Sequence, residues 1–406
     1  MNKIIAHYYP AYSINKQAVF NSTTIQLNLH QLKSSLRSNL SNVPGWRTKR
    51  KIVVFESDDW GSVRMPSINT LDKLVVAGLD VKGLDSCRYN LNDTLASAED
   101  LTALFETLSG YRDQYNRPAA FTPVTVVANP DFEKIRAHDF KNYYFEPFTS
   151  TLERYYGGSS VFKLWKEGMV QEIFRPQFHA REHLNVAEWM RALQAGDAET
   201  LLAFDNGCWG FNNKNISGSA ISFQAAFDLY DPADLPVQAT AITEGLNLFE
   251  SLFGYRASYF VPPNGPFNNQ LQKVAADAGI RFMYADRLQT EPLGLGKEKK
   301  SFHWLGLRNR HEQLYITRNC FFEPGKRGKD WVSTCLKNIE TAFRWQKPAV
   351  ISTHRVNYIG ALHAENRQHG LEQLDHLLKA ILRNWPAAEF CTSDELGNMI
   401  ADSGKR

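Results

Sequence analysis

From Lys51 onward the chain alternates short apolar runs with longer segments in which apolar residues return every three or four positions. The runs are KIVVFES (51–57), AAFTPVTVVA (119–128), QEIFRPQFH (171–179), ASYFVPP (257–263), IRFMYAD (280–286), PAVISTH (348–354) and AEFCTS (388–393). Short apolar stretches of this kind predict buried strands. The helix signals between them are specific. Asn185 is placed to cap a helix with Glu188 at its third position, Leu184 and Trp189 flank the pair as a hydrophobic staple, and the helix should run to about Gln194 and stop at Gly196. SAEDLTALFETL (97–108) and NQLQKVAADAG (269–279) show the same spacing, the second stopping at Gly279. Strands that alternate with helices pair in parallel through right-handed crossovers. The pattern therefore predicts an α/β fold, a distorted (β/α) barrel of about seven strands.

Two regions depart from the alternation. Residues 1–48 are polar and weakly periodic, ending in NVPGWRTKR, and are read as an N-terminal extension to a barrel over 49–400. Residues 131–168, with FKNYYFEPFTSTLERYYGG, are read as an aromatic-rich insertion that either lines a cleft or covers a secondary core.

Composition narrows the function classes. A chain of 406 residues with 43% hydrophobic and 22% charged residues can bury a large core. A net charge of +3 gives no general attraction to nucleic acid or anionic membrane. Five cysteines, none spaced as CxxC, indicate neither a disulfide framework nor a thiolate zinc site. The N-terminus lacks the apolar stretch of a secretory signal and no run reaches membrane-span length, so a cytoplasmic location is expected.

The candidate chemistry sits at the ends of the runs. FESDDWGS (55–62) closes a buried run with two adjacent aspartates, Asp58 and Asp59. FHAREHLN spaces His179 and His183 four residues apart, which lets both imidazoles face one metal if Asp58 or Asp59 supplies a carboxylate. His354 ends the run that follows Pro348, and FVPPNG (260–265) leads from a strand into a rigid loop and then a helix.

In chain order, Asp-Asp, His-x-x-x-His, Phe-x-Pro-Pro-x-Gly and then a strand-terminal His, the four segments resemble the motifs of the polysaccharide deacetylases, the NodB-homology proteins of carbohydrate esterase family 4, over roughly residues 50–400. The resemblance implies Asp58 as catalytic base, Asp59, His179 and His183 as metal ligands, and His354 as general acid. It implies a divalent ion, zinc by default, with iron(II), cobalt or nickel also compatible. It implies hydrolysis of an N-acetyl group on a sugar or glycan precursor. The chain departs from the family pattern at two places. Val261 stands where an arginine commonly precedes the Pro-Pro, and Trp60 follows the aspartate pair. Some arginine is then expected beside Asp58, with Arg181 or Arg64 preferred over Arg256 and Arg355. Trp60, Arg64, Arg181, Asn264 and Arg318 are the candidate substrate-binding residues. In YITRNCFFEPG, Arg318, Asn319 and Glu323 either reach the substrate or form a salt-bridged loop. Two other readings stay open: a metal-dependent amidohydrolase acting on a non-sugar amide, and a non-catalytic glycan-binding protein on the same fold.

Overall fold

The computed structural model describes residues 39–82, 87–158, 160–209 and 222–404. Its strands follow in chain order as β1 (Lys51–Trp60), β2 (Phe121–Val126), β3 (Ala128–Pro130), β4 (Phe145–Pro147), β5 (Gln177–Ala180), β6 (Tyr259–Phe260) and β7 (Phe282–Tyr284). They continue as β8 (Leu288–Gly294), β9 (Lys297–Phe302), β10 (Leu314–Ile316), β11 (Cys320–Phe321), β12 (Ala349–His354) and β13 (Ala388–Phe390).

One sheet runs in the order β10-β7-β6-β5-β2-β1-β12-β11, with β13 added against Lys51, Ile52 and Val53 of β1. Every pairing in it is parallel. Its two edges, β10 and β11, are joined by residues 317–319 alone. So short a link reaches roughly 13 Å at most. The sheet therefore has to curl until its edges nearly meet, and β10 and β11 act as one bent strand that closes a distorted β/α barrel. The antiparallel pairs β3–β4 and β8–β9 stand apart from it.

β1 shows how sequence periodicity becomes layering. Ile52 and Val54 point to an inner cluster with Val124, Tyr259, Val261, Phe282, Ile316 and Val350. Val53 and Phe55 point to an outer cluster with helix residues such as Leu104, Ile339 and Leu374. Burial on both faces is what parallel strands covered by helices require. It explains why the strand reads as a continuous apolar run.

The helix predictions hold in detail. Asn185 caps Val186–Gln194 by accepting from the Glu188 backbone N–H, and Gly196 beyond it takes φ 73°. Ser97 and Asp100 form a capping box on Ala98–Ser109. Gly279 adopts φ 102° after Leu271–Asp277.

The β8–β9 hairpin and the closing strand are among the elements that were not predicted. The β8–β9 hairpin is rich in lysine and glutamate and exposed along β9, so it carries no core pattern. The closing strand is interrupted by Arg318 and Asn319, which hides it from a search for apolar runs. Of the N-terminal region, residues 1–38 lie outside the described residues. The part that follows is anchored by Lys347, whose Nζ donates to the carbonyls of Pro44, Gly45 and Trp46 at 2.7, 2.5 and 2.8 Å. Within 131–168, Phe148 and Trp165 enter the main core, while Phe132, Phe140 and Tyr143 pack around a second cluster containing Trp189 and Phe204.

Helix Ala364–Asn384 approaches the chain after β12 closely enough that a Cβ on Gly370 would stand 1.6 Å from the Asn357 carbonyl oxygen. Backbone cannot yield as a side chain can. Gly370→Ala should lower unfolding free energy by about 1–3 kcal/mol in a urea titration. Gly110→Ala, where the added Cβ meets nothing nearer than 3.5 Å, should change it by no more than about 0.5 kcal/mol.

Candidate metal and catalytic site

Successive residues of a regular strand face opposite ways, so Asp58 and Asp59 cannot both enter the barrel mouth from an unbroken strand. β1 breaks at this point. Ser57 pairs with Pro123 and Trp60 with Thr125, so β1 advances three residues while β2 advances two. This is a bulge carrying one extra residue. Asp59 takes φ 74°, a left-handed conformation that costs a non-glycine residue about 1–3 kcal/mol. Both carboxylates then reach the mouth, and Trp60 returns to the outer core. Gly61 follows at φ 85°, where a Cβ would lie 2.2 Å from the Val126 carbonyl oxygen.

Asp59 Oδ1 faces His179 Nε2 at 3.4 Å and His183 Nε2 at 3.2 Å, and all three residues are buried. His179 Nδ1 is 2.6 Å from the Val261 carbonyl oxygen, so it carries the proton and donates there. The lone pair on Nε2 is thereby turned toward a carboxylate oxygen, and Nε2 has no hydrogen-bond partner despite its burial. Two acceptors facing one another repel unless a cation stands between them. Burial works against the charge on Asp59, and its carboxyl is held well below the usual range only by positive charge at the two histidines, the place a bound cation would take. Burial pulls the His183 pKa down, which favours the neutral ligand form. Two imidazoles and a carboxylate fit a zinc-like divalent ion and leave positions for water and substrate.

Asp58 is held differently. Arg318 donates to Asp58 Oδ2 from Nη1 at 2.5 Å and to Oδ1 from Nη2 at 2.6 Å, and its Nε donates to Glu56 Oε2 at 2.6 Å. Glu56, fully buried one inward step below Asp58, also accepts from Tyr259 Oη at 3.0 Å and Ser393 Oγ at 2.8 Å. The arginine expected beside Asp58 is thus Arg318, on the closing strand, and not Arg181 or Arg64.

His354 is the direct register partner of Asp58 across β1 and β12, and its Nε2 stands 3.8 Å from Asp58 Oδ2. On its other side Nδ1 meets Glu323 Oε1 at 2.5 Å. Glu323 Oε2 accepts from Arg88 Nη2 at 2.7 Å and Asn357 Nδ2 at 2.9 Å. Burial opposes charge on His354, but the Glu323 carboxylate outweighs it and pushes the pKa up to about 9. Burial likewise opposes charge on Glu323, and His354 outweighs it, bringing the carboxyl down to about 2. The His354 contribution to stability is complete below its ordinary value of 6.5 and is lost as pH rises through about 9. The Glu323 contribution is complete above 4.5 and is lost as pH falls through about 2.

These groups line a cavity of about 430 Å³, within the range of small-molecule sites. Asp58, Asp59, His179, His183 and His354 all reach it, as do Arg64, Asn264 and Arg318. Trp60 and Arg181 are placed elsewhere. Trp60 is 1% exposed and packs edge-on against Phe174 and Trp165. Arg181 binds Glu182 at 2.6 and 2.7 Å and pairs with Glu244. Glu56, Arg88, Tyr259 and Asn357 escaped the sequence reading. Glu56 alone had a signal there, a charge two residues before Asp58 in an otherwise apolar run.

Arg318→Met would leave two buried carboxylates without their cation, and should cost about 3–5 kcal/mol of unfolding free energy in denaturant. Zinc at 100 times its dissociation constant should stabilise the wild type by about 2.7 kcal/mol. The same addition should leave the melting of His183→Ala unmoved, and metal analysis should find that variant zinc-free.

No family model and no curated protein matches the sequence. Among solved structures, a 4-alpha-glucanotransferase from Thermococcus litoralis is 10% identical with a TM-score of 0.42, over 85% of this chain and 40% of that one. This chain thus spans less than half of the glucanotransferase. A protein described as a polysaccharide deacetylase from Mycobacterium smegmatis is 10% identical with a TM-score of 0.40, over 89% and 94% of the two chains. Puue allantoinase is 11% identical with a TM-score of 0.41, over 87% and 91%. Likeness at this level assigns no activity, and the functional reading rests on the residues of this chain.

Proposed function

We propose that this protein is a metal-dependent hydrolase that removes an N-acetyl group from a sugar or glycan precursor. The observation that carries the reading is one cavity containing three buried metal-type ligands, a carboxylate locked by arginine, and a histidine kept protonated by a second carboxylate. Asp59, His179 and His183 would hold a divalent ion, which would supply Lewis acidity toward an acyl carbonyl and a bound water.

The chain supplies the proton transfers. Asp58 accepts the proton of the attacking water, and each of its oxygens keeps a lone pair free after the Arg318 bonds. Arg318 fixes the carboxylate and preserves its charge beside Asp59. His354 gives its proton to the departing nitrogen, and Glu323 stabilises the imidazolium until that transfer. An amine is a poor leaving group without a proton, so this donor matters most for an amide. Tyr89, Tyr284 and Trp209 line the cavity beside Asp93 and Asp286, a mixture of aromatic and polar groups that suits a polyhydroxylated ring.

Acetate release by the zinc-loaded protein tests the reading. Turnover of N-acetylated sugars without turnover of simple non-sugar amides supports it. The reverse pattern sinks the sugar assignment, and no release from any substrate sinks the enzyme reading in favour of glycan binding. His354→Ala should keep its zinc while losing about 10²- to 10⁴-fold in kcat. Because Glu323 raises the His354 pKa, activity should fall as pH rises through that value. Glu323→Gln should move the falling limb of kcat/KM to lower pH, and an unmoved limb would mean that another group carries the proton.

A further inference from the structure

The cavity wall holds a buried cation that the proposed chemistry does not use. Arg64 is 5% exposed and lines the cavity beside Trp209, its guanidinium 6.0 Å from the ring centroid. Its Nε donates to Asn90 Oδ1 at 3.0 Å, while Nη2 is buried with no hydrogen-bond partner among the described residues. A guanidinium keeps its proton even here. A buried cation is expensive unless something pairs with it.

Asp93 and Asp59 attract the Arg64 guanidinium through space, but the side-chain hydrogen bonds of Asp93 go to Arg355. Asp93 Oδ1 accepts from Arg355 Nε at 3.0 Å and from Arg355 Nη2 at 2.8 Å. The other arginines around the cavity are also occupied. Arg318 is spent on Asp58, Glu56 and Ser352, and Arg88 on Glu323, Asn357 and Tyr89. Arg64 is left with Nη2 unpartnered among the described residues on a side chain that lines the cavity, and a guanidinium matches the geometry of carboxylate or phosphate oxygens. Trp209 links this point to the metal-type cluster, because its indole also stacks on His183 at 6.2 Å and 24°.

We propose that Arg64 receives an acidic group on the substrate, a carboxylate or phosphate on the same glycan that presents the N-acetyl group to the metal site. The glycan part rests on the deacetylase reading. The anion site does not, and it is measured separately.

The test is calorimetric titration of the zinc-loaded protein with glucose, glucuronate and glucose 6-phosphate. At least one acid should bind about tenfold or more tightly than glucose, and the two acids distinguish carboxylate from phosphate. Arg64→Met should erase the preference and Arg64→Lys should keep part of it, with zinc content and circular dichroism unchanged. Equal affinity for all three sugars in the wild type overturns the proposal without any variant. A preference that survives in Arg64→Met also overturns it, since the acid would then be sitting on the metal. Acid preference without acetate release from any N-acetylated sugar sinks the deacetylase reading and leaves the Arg64 site standing.

Discussion

Arg318 has to satisfy two carboxylates at once inside a closed barrel, and the rest of the site depends on that clamp. Glu56 and Asp58 lie on the inward phase of β1 at 0% and 6% exposure, where water cannot stabilise their charge. One guanidinium answers both, with Nε on Glu56 and the Nη pair on Asp58. It comes from the residues that carry the chain from β10 to β11, so closing the barrel and pairing Asp58 with its arginine are one structural event. The apolar interior formed by Ile52 and Val54 ends where this polar layer begins.

The same strand then gives its two aspartates different work. A bulge and a left-handed backbone at Asp59 turn it to the histidines while Asp58 stays on its ordinary phase. The local strain is offset by what it assembles, a carboxylate within 3.4 Å of two buried imidazoles. Val261 takes part through its backbone. Its side chain fills the inner core and its carbonyl fixes the His179 tautomer. An arginine at this position is not needed to meet Asp58, because Arg318 reaches it from the link between β10 and β11.

On the far side of Asp58, His354 owes its charge to tertiary neighbours. Glu323 follows the closing strand, Arg88 comes from helix Cys87–Asn92 and Asn357 follows β12. Asp58 and His354 are thus held by two separate ion-pair systems, one through Arg318 and the other through Glu323 and Arg88, although they stand 3.8 Å apart.

The amino-acid sequence by itself determined the alternation of strands and helices, the caps at Asn185 and Ser97, and the segments whose ends meet at one cavity. These follow from local periodicity and from side chains that bond within a few residues of themselves, so they need no partner from afar. It also held Asp58, Asp59, His179, His183 and His354 in readable order. What it could not decide was which arginine meets Asp58, because Arg318 lies 260 residues away and reaches it only once the barrel curls shut. The buried place of Trp60 was hidden for a similar reason: it depends on a bulge whose one-residue slip exists only against β2. The link between Glu323 and His354 and the unpaired fork of Arg64 likewise belong to tertiary structure, since charge pairing in a barrel mouth is set by which strand ends become neighbours.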